Sequence, residues 1–107
     1  MFELTKHNKI KLTRGDTCYI EVEIIGNYVI QEGDILHFSV KKNVKDREYA
    51  VHVAFPANTI LVLNPTDTKD LEFGKYYYDV QLSTIDGEVF TLIGPCEFIL
   101  MEEITND

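Results

Sequence analysis

The sequence has no tryptophan, only two cysteines and three prolines, and no uninterrupted apolar run longer than a few residues. Without about 20 consecutive apolar residues, a helix cannot cross a bilayer. The N-terminal stretch Met1-Phe2-Glu3-Leu4-Thr5-Lys6-His7 lacks the apolar segment and small-residue cleavage site of a secretory signal. Synthesis in the cytoplasm without a signal peptide is therefore expected. Cys18 and Cys96 lie far apart in the chain, and no Cys-x-x-Cys pair exists to hold zinc. In a reducing compartment they are expected to be free thiols that pack as small hydrophobes.

Basic side chains are also scarce, with 10 Lys and Arg against 18 Asp and Glu, for a net charge of −8. Nucleic acid is bound chiefly through Lys and Arg contacts to phosphate, so this balance excludes it as a partner. The deficit is uneven along the chain. Residues 1–47 hold eight basic and seven acidic side chains, whereas 48–107 hold two and eleven. The basic positions gather at Lys6, Lys9, Lys11 and Arg14, and again at Lys41, Lys42, Lys45 and Arg47. Regions of unlike charge attract when copies or partners pack together.

What the sequence does have is alternation. At 107 residues and 45% hydrophobic content, the chain is expected to form one domain over 1–107, neither disordered nor membrane-embedded. Cys18, Ile20, Val22 and Ile24 alternate with Tyr19, Glu21 and Glu23, the pattern of a half-buried strand closed by Gly26-Asn27. Leu36, Phe38 and Val40 alternate with His37, Ser39 and Lys41; Val51, Val53 and Phe55 surround an outward His52. Thr59–Leu63 is a mostly apolar strand. Tyr76, Tyr78, Val80 and Leu82 alternate with Tyr77, Asp79, Gln81 and Ser83. Asp86-Gly87 marks a hairpin into Glu88–Ile93, and Gly94-Pro95 is expected to break the chain before a last strand at Cys96–Met101. A shorter strand near Ile10–Leu12 precedes the turn Arg14-Gly15-Asp16. One helical turn is expected after Asn64, with Pro65 at its first position, Leu71 as its apolar anchor and Gly74 ending it. These elements make an all-β fold, a sandwich or barrel of about seven to eight strands with one short helical turn.

Chemistry has little to work with. The two serines, Ser39 and Ser83, fall in strands and away from any Gly-x-Ser-x-Gly elbow. His37 and His52 fall on neighbouring strands with outward rings, but no third ligand accompanies them. The six glycines are scattered singly through turns, so no phosphate cradle forms. No catalytic, cofactor-binding or metal-binding residues are assigned. Tyr77, outward beside Asp79 and Gln81, is a candidate contact for a sugar or a protein.

The run from Pro65 to Leu82, Pro-Thr-Asp-Thr-Lys-Asp-Leu-Glu-Phe-Gly-Lys-Tyr-Tyr-Tyr-Asp-Val-Gln-Leu, is the most distinctive part of the chain. With Asp86–Leu92, Gly15-Asp16-Thr17 and Val40-Lys41-Lys42, it resembles an Ig-like domain of tailed phages and prophages of Gram-positive bacteria. Members of that group form the N-terminal domain of phage baseplate upper proteins. The resemblance covers roughly residues 13–104. It implies an Ig-like antiparallel β-sandwich acting as a non-enzymatic docking module in a tail or baseplate, and hence residence in a virion. Gly74-x-Tyr76 matches the placement of a tyrosine corner, whose hydroxyl bonds back to upstream backbone. The Ig inter-sheet disulfide and core tryptophan have no counterpart here.

The expected partners are other virion or prophage structural proteins, or further copies of the chain, with nucleic acid and membrane excluded. The expected interaction surface comprises Lys41, Lys42, Lys45, Arg47 and Tyr77. The alternative is a host-surface glycan held by Tyr77 and its neighbours.

Overall fold

The computed structural model describes the backbone of residues 2–4, and backbone and side chains of residues 9–22 and 28–104. Lys6, the end of the strand expected over 18–24 and the turn at Gly26-Asn27 lie outside the described residues. Among the described residues the chain forms β1 (Phe2–Leu4), β2 (Ile10–Thr13), β3 (Cys18–Ile20), β4 (Ile35–Lys41), β5 (Val51–Pro56) and β6 (Leu61–Leu63). A short helix, α1 (Pro65–Thr68), then leads into the long strands β7 (Gly74–Ser83) and β8 (Val89–Met101). The all-β class holds, with 51% strand and 4% helix.

Six strands form one curled sheet in the order β1-β2-β8-β7-β4-β5, while β3 and β6 pair as a separate two-stranded ribbon. Alternation decides which side chains meet between them. Leu36, Phe38 and Val40 of β4, the even residues Tyr76 to Leu82 of β7, and Phe98 and Leu100 of β8 are buried. They share one core cluster with Ile10 and Leu12 of β2, Cys18 and Ile20 of β3, and Leu61 and Leu63 of β6. Cys18 is a free thiol in that core, and burial pushes its pKa up to about 11, which keeps it protonated and inert. Cys96, half-buried on β8, is likewise a free thiol.

Three local expectations are corrected. The sheet is mixed rather than purely antiparallel, because β2 runs parallel to β8, with Ile10 opposite Phe98 and Leu12 opposite Leu100. A parallel pair only needs a long connection, and nearly the whole chain separates these two strands. Gly94-Pro95 does not break the chain; β8 runs through it. The register against β7 moves from Tyr78↔Cys96 to Val80↔Ile93 to Gln81↔Thr91, so β8 gains an extra residue at each of two bulges. A bulge tolerates proline because the extra residue owes no hydrogen bond to the ladder. The hairpin itself forms as expected: Gly87 N–H donates to Thr84 O at 3.0 Å, with Gly87 at φ +90°.

The third correction concerns the helical turn. It ends at Lys69, whose N–H donates to Pro65 O at 3.0 Å, and Gly74 instead opens β7 at φ +138°. Asp67 caps the turn by accepting the Asn64 N–H on Oδ2 at 2.7 Å. Its anchor is Thr68, fully buried, whereas Leu71 is half-buried against the core. Thr68 is buried because its hydroxyl has work there: Oγ1 accepts the Gly15 N–H at 2.8 Å.

That bond is one part of a clasp at this end of the domain. Arg14 Nε and Nη2 donate to the Glu103 carboxylate at 3.2 and 2.7 Å, and Nη1 donates to Leu71 O at 3.0 Å. The bidentate pair holds Glu103 below the usual carboxylate range. Tyr76 Oη donates to Glu72 O at 2.6 Å, pinning the first turn of β7 to the segment that precedes it. Arg14, read from the sequence as part of a basic cluster, is thus committed internally.

The opposite end is organised by Asp34, which is 1% exposed. Its Oδ2 accepts Tyr28 Oη at 2.5 Å and the Gln31 N–H at 2.8 Å, and Oδ1 accepts the Ile85 N–H at 2.9 Å. The Tyr28 bond and then the backbone bonds lower the Asp34 pKa, and the same bond with Tyr28 pushes the phenol up to about 12.

Two predictions follow from these bonds. Tyr76→Phe removes the hydrogen bond to the Glu72 carbonyl and is expected to destabilise the domain by about 1–2 kcal/mol in urea melts, with Tyr77→Phe costing much less. A reversed order would mean that β7 presents the opposite face to the core. Because the folded pKa of Asp34 lies below its unfolded value, its contribution is fully present above the ordinary carboxylate range and is lost as pH falls through the depressed folded pKa. The urea midpoint of the native chain should therefore fall more steeply below about pH 4 than that of Asp34→Asn. Equal slopes would remove Asp34 from this role.

Candidate functional site

The face of the sheet turned away from the core carries the chain's outward polar side chains in register. Lys41 of β4 lies opposite Tyr77 of β7, Ser39 lies opposite both Asp79 and His52 of β5, and His37 lies opposite Gln81. The side-chain period of two places each of these on the same face as its partner.

Aromatic rings cover the β4–β5 side. His52 stacks on His37 with centroids 5.6 Å apart and on Tyr49 at 4.7 Å, the planes inclined by 26° and 24°. Ser39 Oγ and His52 Nδ1 are hydrogen-bonded at 2.9 Å. Lys41 Nζ sits 5.2 Å from the centre of the Tyr49 ring, a cation–π distance. Between these groups and β7 lies a recess of about 240 Å³ lined by Ser39, Lys41, Tyr49, Tyr77, Asp79 and Gln81, together with Val44, Tyr78 and Pro95.

Asp79 is the electrostatic centre of the recess. Burial raises its pKa, while the charge of Lys41 and then that of His52 oppose the rise. An ionised carboxylate held partly out of water is primed to accept hydrogen bonds from a ligand or a partner. The Ser39–His52 contact is poorly placed for nucleophilic catalysis. β4 is paired on both sides, by β5 and β7, so the backbone N–H groups around Ser39 belong to the ladder and cannot stabilise an oxyanion. The chemistry the arrangement supports is binding: two phenol rings, an amide, a carboxylate and an ammonium group around one hollow.

The expected interaction residues separate into three places. Lys41 and Tyr77 meet at the recess. Lys42 turns to the core side, with Nζ 4.6 Å from the centre of the Tyr76 ring. Lys45 and Arg47 stand exposed in the β4–β5 loop. Asp79, Tyr49 and His52 complete the cluster. Alternation had placed Asp79 and His52 outward, but the cross-strand register that brings them together with Tyr49 is not written in any single segment.

Among the described residues no group of three or more His, Cys, Asp or Glu could hold a metal ion, and no helix is long and apolar enough to cross a membrane. No family model matches the chain, and no curated protein or solved structure matches it.

Followed by carboxylate-detected NMR titration, Asp79 is expected to titrate above the ordinary aspartate value. Lys41→Met should move it higher still, because it removes the opposing positive charge. Since the folded pKa is raised, ionised Asp79 opposes folding at neutral pH and the penalty fades as pH falls through that pKa. Asp79→Asn should accordingly leave stability unchanged or slightly improved at pH 7. A clear loss of stability would mean that the carboxylate has a structural partner.

Proposed function

We propose that this chain is an Ig-like β-sandwich acting as a non-enzymatic docking module in a phage or prophage particle, at the tail or baseplate. The observation that carries this reading is the clasp. Gly15 belongs to the Gly-Asp-Thr piece of the phage-like pattern, and Thr68, Gly74 and Tyr76 to its central block. The two pieces lie some fifty residues apart in sequence, yet Gly15 N–H bonds Thr68 Oγ1, and Tyr76 closes the same corner through Glu72. A pattern whose separate pieces support one another in space is better explained by a shared fold than by chance composition. The order β5-β4-β7-β8 facing a β3-β6 ribbon parallels strands C′, C, F and G facing B and E of an Ig sandwich, and the Tyr76 bond has the form of a tyrosine corner.

In this reading the outward contacts come from the exposed Lys45 and Arg47 and from Lys41 and Tyr77 at the recess, and the partner is another virion protein. The recess favours a second reading, a host-surface glycan stacked on Tyr77 and hydrogen-bonded by Asp79 and Gln81.

One comparison separates the two. The chain is co-expressed with the proteins encoded by its neighbouring genes, and the purified domain is screened in parallel on a glycan array. Retention of a tail or baseplate protein, loosened by salt and by Lys45→Glu with Arg47→Glu, is expected for docking. Specific glycan binding abolished by Tyr77→Ala, with no such protein retained, would replace docking with the second reading.

A further inference from the structure

We infer that β5 is a homodimerisation edge, pairing antiparallel with β5 of a second copy so that the two sheets continue into one. Among the described residues β5 ends the six-stranded sheet and pairs with β4 alone. Its sequence, Val-His-Val-Ala-Phe-Pro, contains no Lys, Arg, Asp or Glu, the side chains that usually keep an open edge from pairing.

The edge is self-complementary. Ala57 N–H donates to Asp34 O at 2.9 Å, and along the Leu36↔Phe55 and Phe38↔Val53 register the hydrogen-bonded positions alternate. The N–H and C=O groups of Val53 and Phe55 are thereby directed at β4, and those of His52 and Ala54 point away from it. Two such edges brought together antiparallel place His52 opposite Ala54 of the second copy, and Ala54 opposite its His52, with about four backbone hydrogen bonds. The two-fold axis passes between the Val53 residues. Val53 is only partly buried in the single chain, and the pairing covers it with its own copy. Pro56, lacking an N–H, closes the available edge at one end.

Charge selects a second copy as the occupant. One end of the sheet is acidic: the turns at 31–34, 56–59 and 84–88 are tied together through Asp34, expose Glu32, Asp86 and Glu88, and contain no Lys or Arg. At the opposite end of β5 itself, the β4–β5 loop and its flanks carry Lys41, Lys42, Lys45 and Arg47 against Asp46 and Glu48. Antiparallel pairing sets each basic loop beside the acidic turns of the other copy, the arrangement in which unlike charges attract twice. The pairing stands on this edge geometry and holds whether or not a particle protein is captured.

Sedimentation of the purified full chain tests it, combined with amide hydrogen exchange. The expected result is a monomer–dimer equilibrium weakened by salt, with the His52 and Ala54 amides protected only where dimer is populated. Ala54→Pro removes a donor that points away from β4 and should weaken association roughly tenfold, with the far-UV circular dichroism unchanged. Lys45→Glu with Arg47→Glu, at exposed loop positions, should weaken it at low salt and reduce the salt dependence. A chain that stays monomeric into the low millimolar range would overturn the inference. So would a dimer in which the His52 and Ala54 amides exchange as fast as in the monomer. Should Ala54→Pro fail to fold, the loop variant and the native-chain exchange decide the matter.

Discussion

The register of β7 is the constraint on which the rest of the structure depends. This strand is paired along its length by β4 on one side and β8 on the other, so a slip of one residue would move Tyr76, Tyr78, Val80 and Leu82 out of the core and put Tyr77, Asp79 and Gln81 in it. Its start is fixed from outside the sheet. Gly74 supplies a backbone conformation that a side chain would disfavour, and two residues later the Tyr76 hydroxyl reaches the Glu72 carbonyl. Core and recess are two faces of one strand, so what pins the first also positions the second.

Much of this was legible in the sequence, for physical reasons that differ from element to element. The alternations of β4 and β7 are strong because both strands are central and each buries one face of aliphatic and aromatic side chains. The capped start of α1 and the Asp86-Gly87 hairpin are local events, decided by a few adjacent residues. What escaped is what depends on distant partners. Thr68 looks like an ordinary helix residue until Gly15 is brought to it, and Arg14 looks like a surface cation until Glu103 arrives from the other end of the chain. The parallel pairing of β2 with β8 leaves no turn to announce it. Gly94-Pro95 has the composition of a break, and only the neighbouring strand shows that it is a bulge. At the recess, the outward direction of Tyr77, Asp79 and His52 was readable, but their convergence required the register of three strands.

Electrostatics divides the molecule along the strand direction. At one end an Arg14–Glu103 pair is held internally, and at the other Asp34 is satisfied by three turns that it joins. The charges used inside the fold are thereby distinguished from those left outside: Lys45 and Arg47 mixed with Glu48, Asp70 and Glu72 at one end, and Glu32, Asp86 and Glu88 at the other. The net charge of −8 is thus spread unevenly, mixed in sign at the first end and unrelieved by Lys or Arg in the turns of the second.

The paired bulges of β8 bear on how the chain can change in length over evolutionary time. Each extra residue is absorbed where it sits, because the pairs on either side of a bulge keep the same facing. Ile93, between the two bulges and opposite Val80, still packs against the core, as do Phe98 and Leu100 beyond them. Segment 91–95 can therefore lose or gain a bulge residue without turning the rest of the strand over. Relatives of this chain should vary in length there while keeping the spacing from Cys96 to Leu100, a signature that could be sought where overall sequence identity has faded.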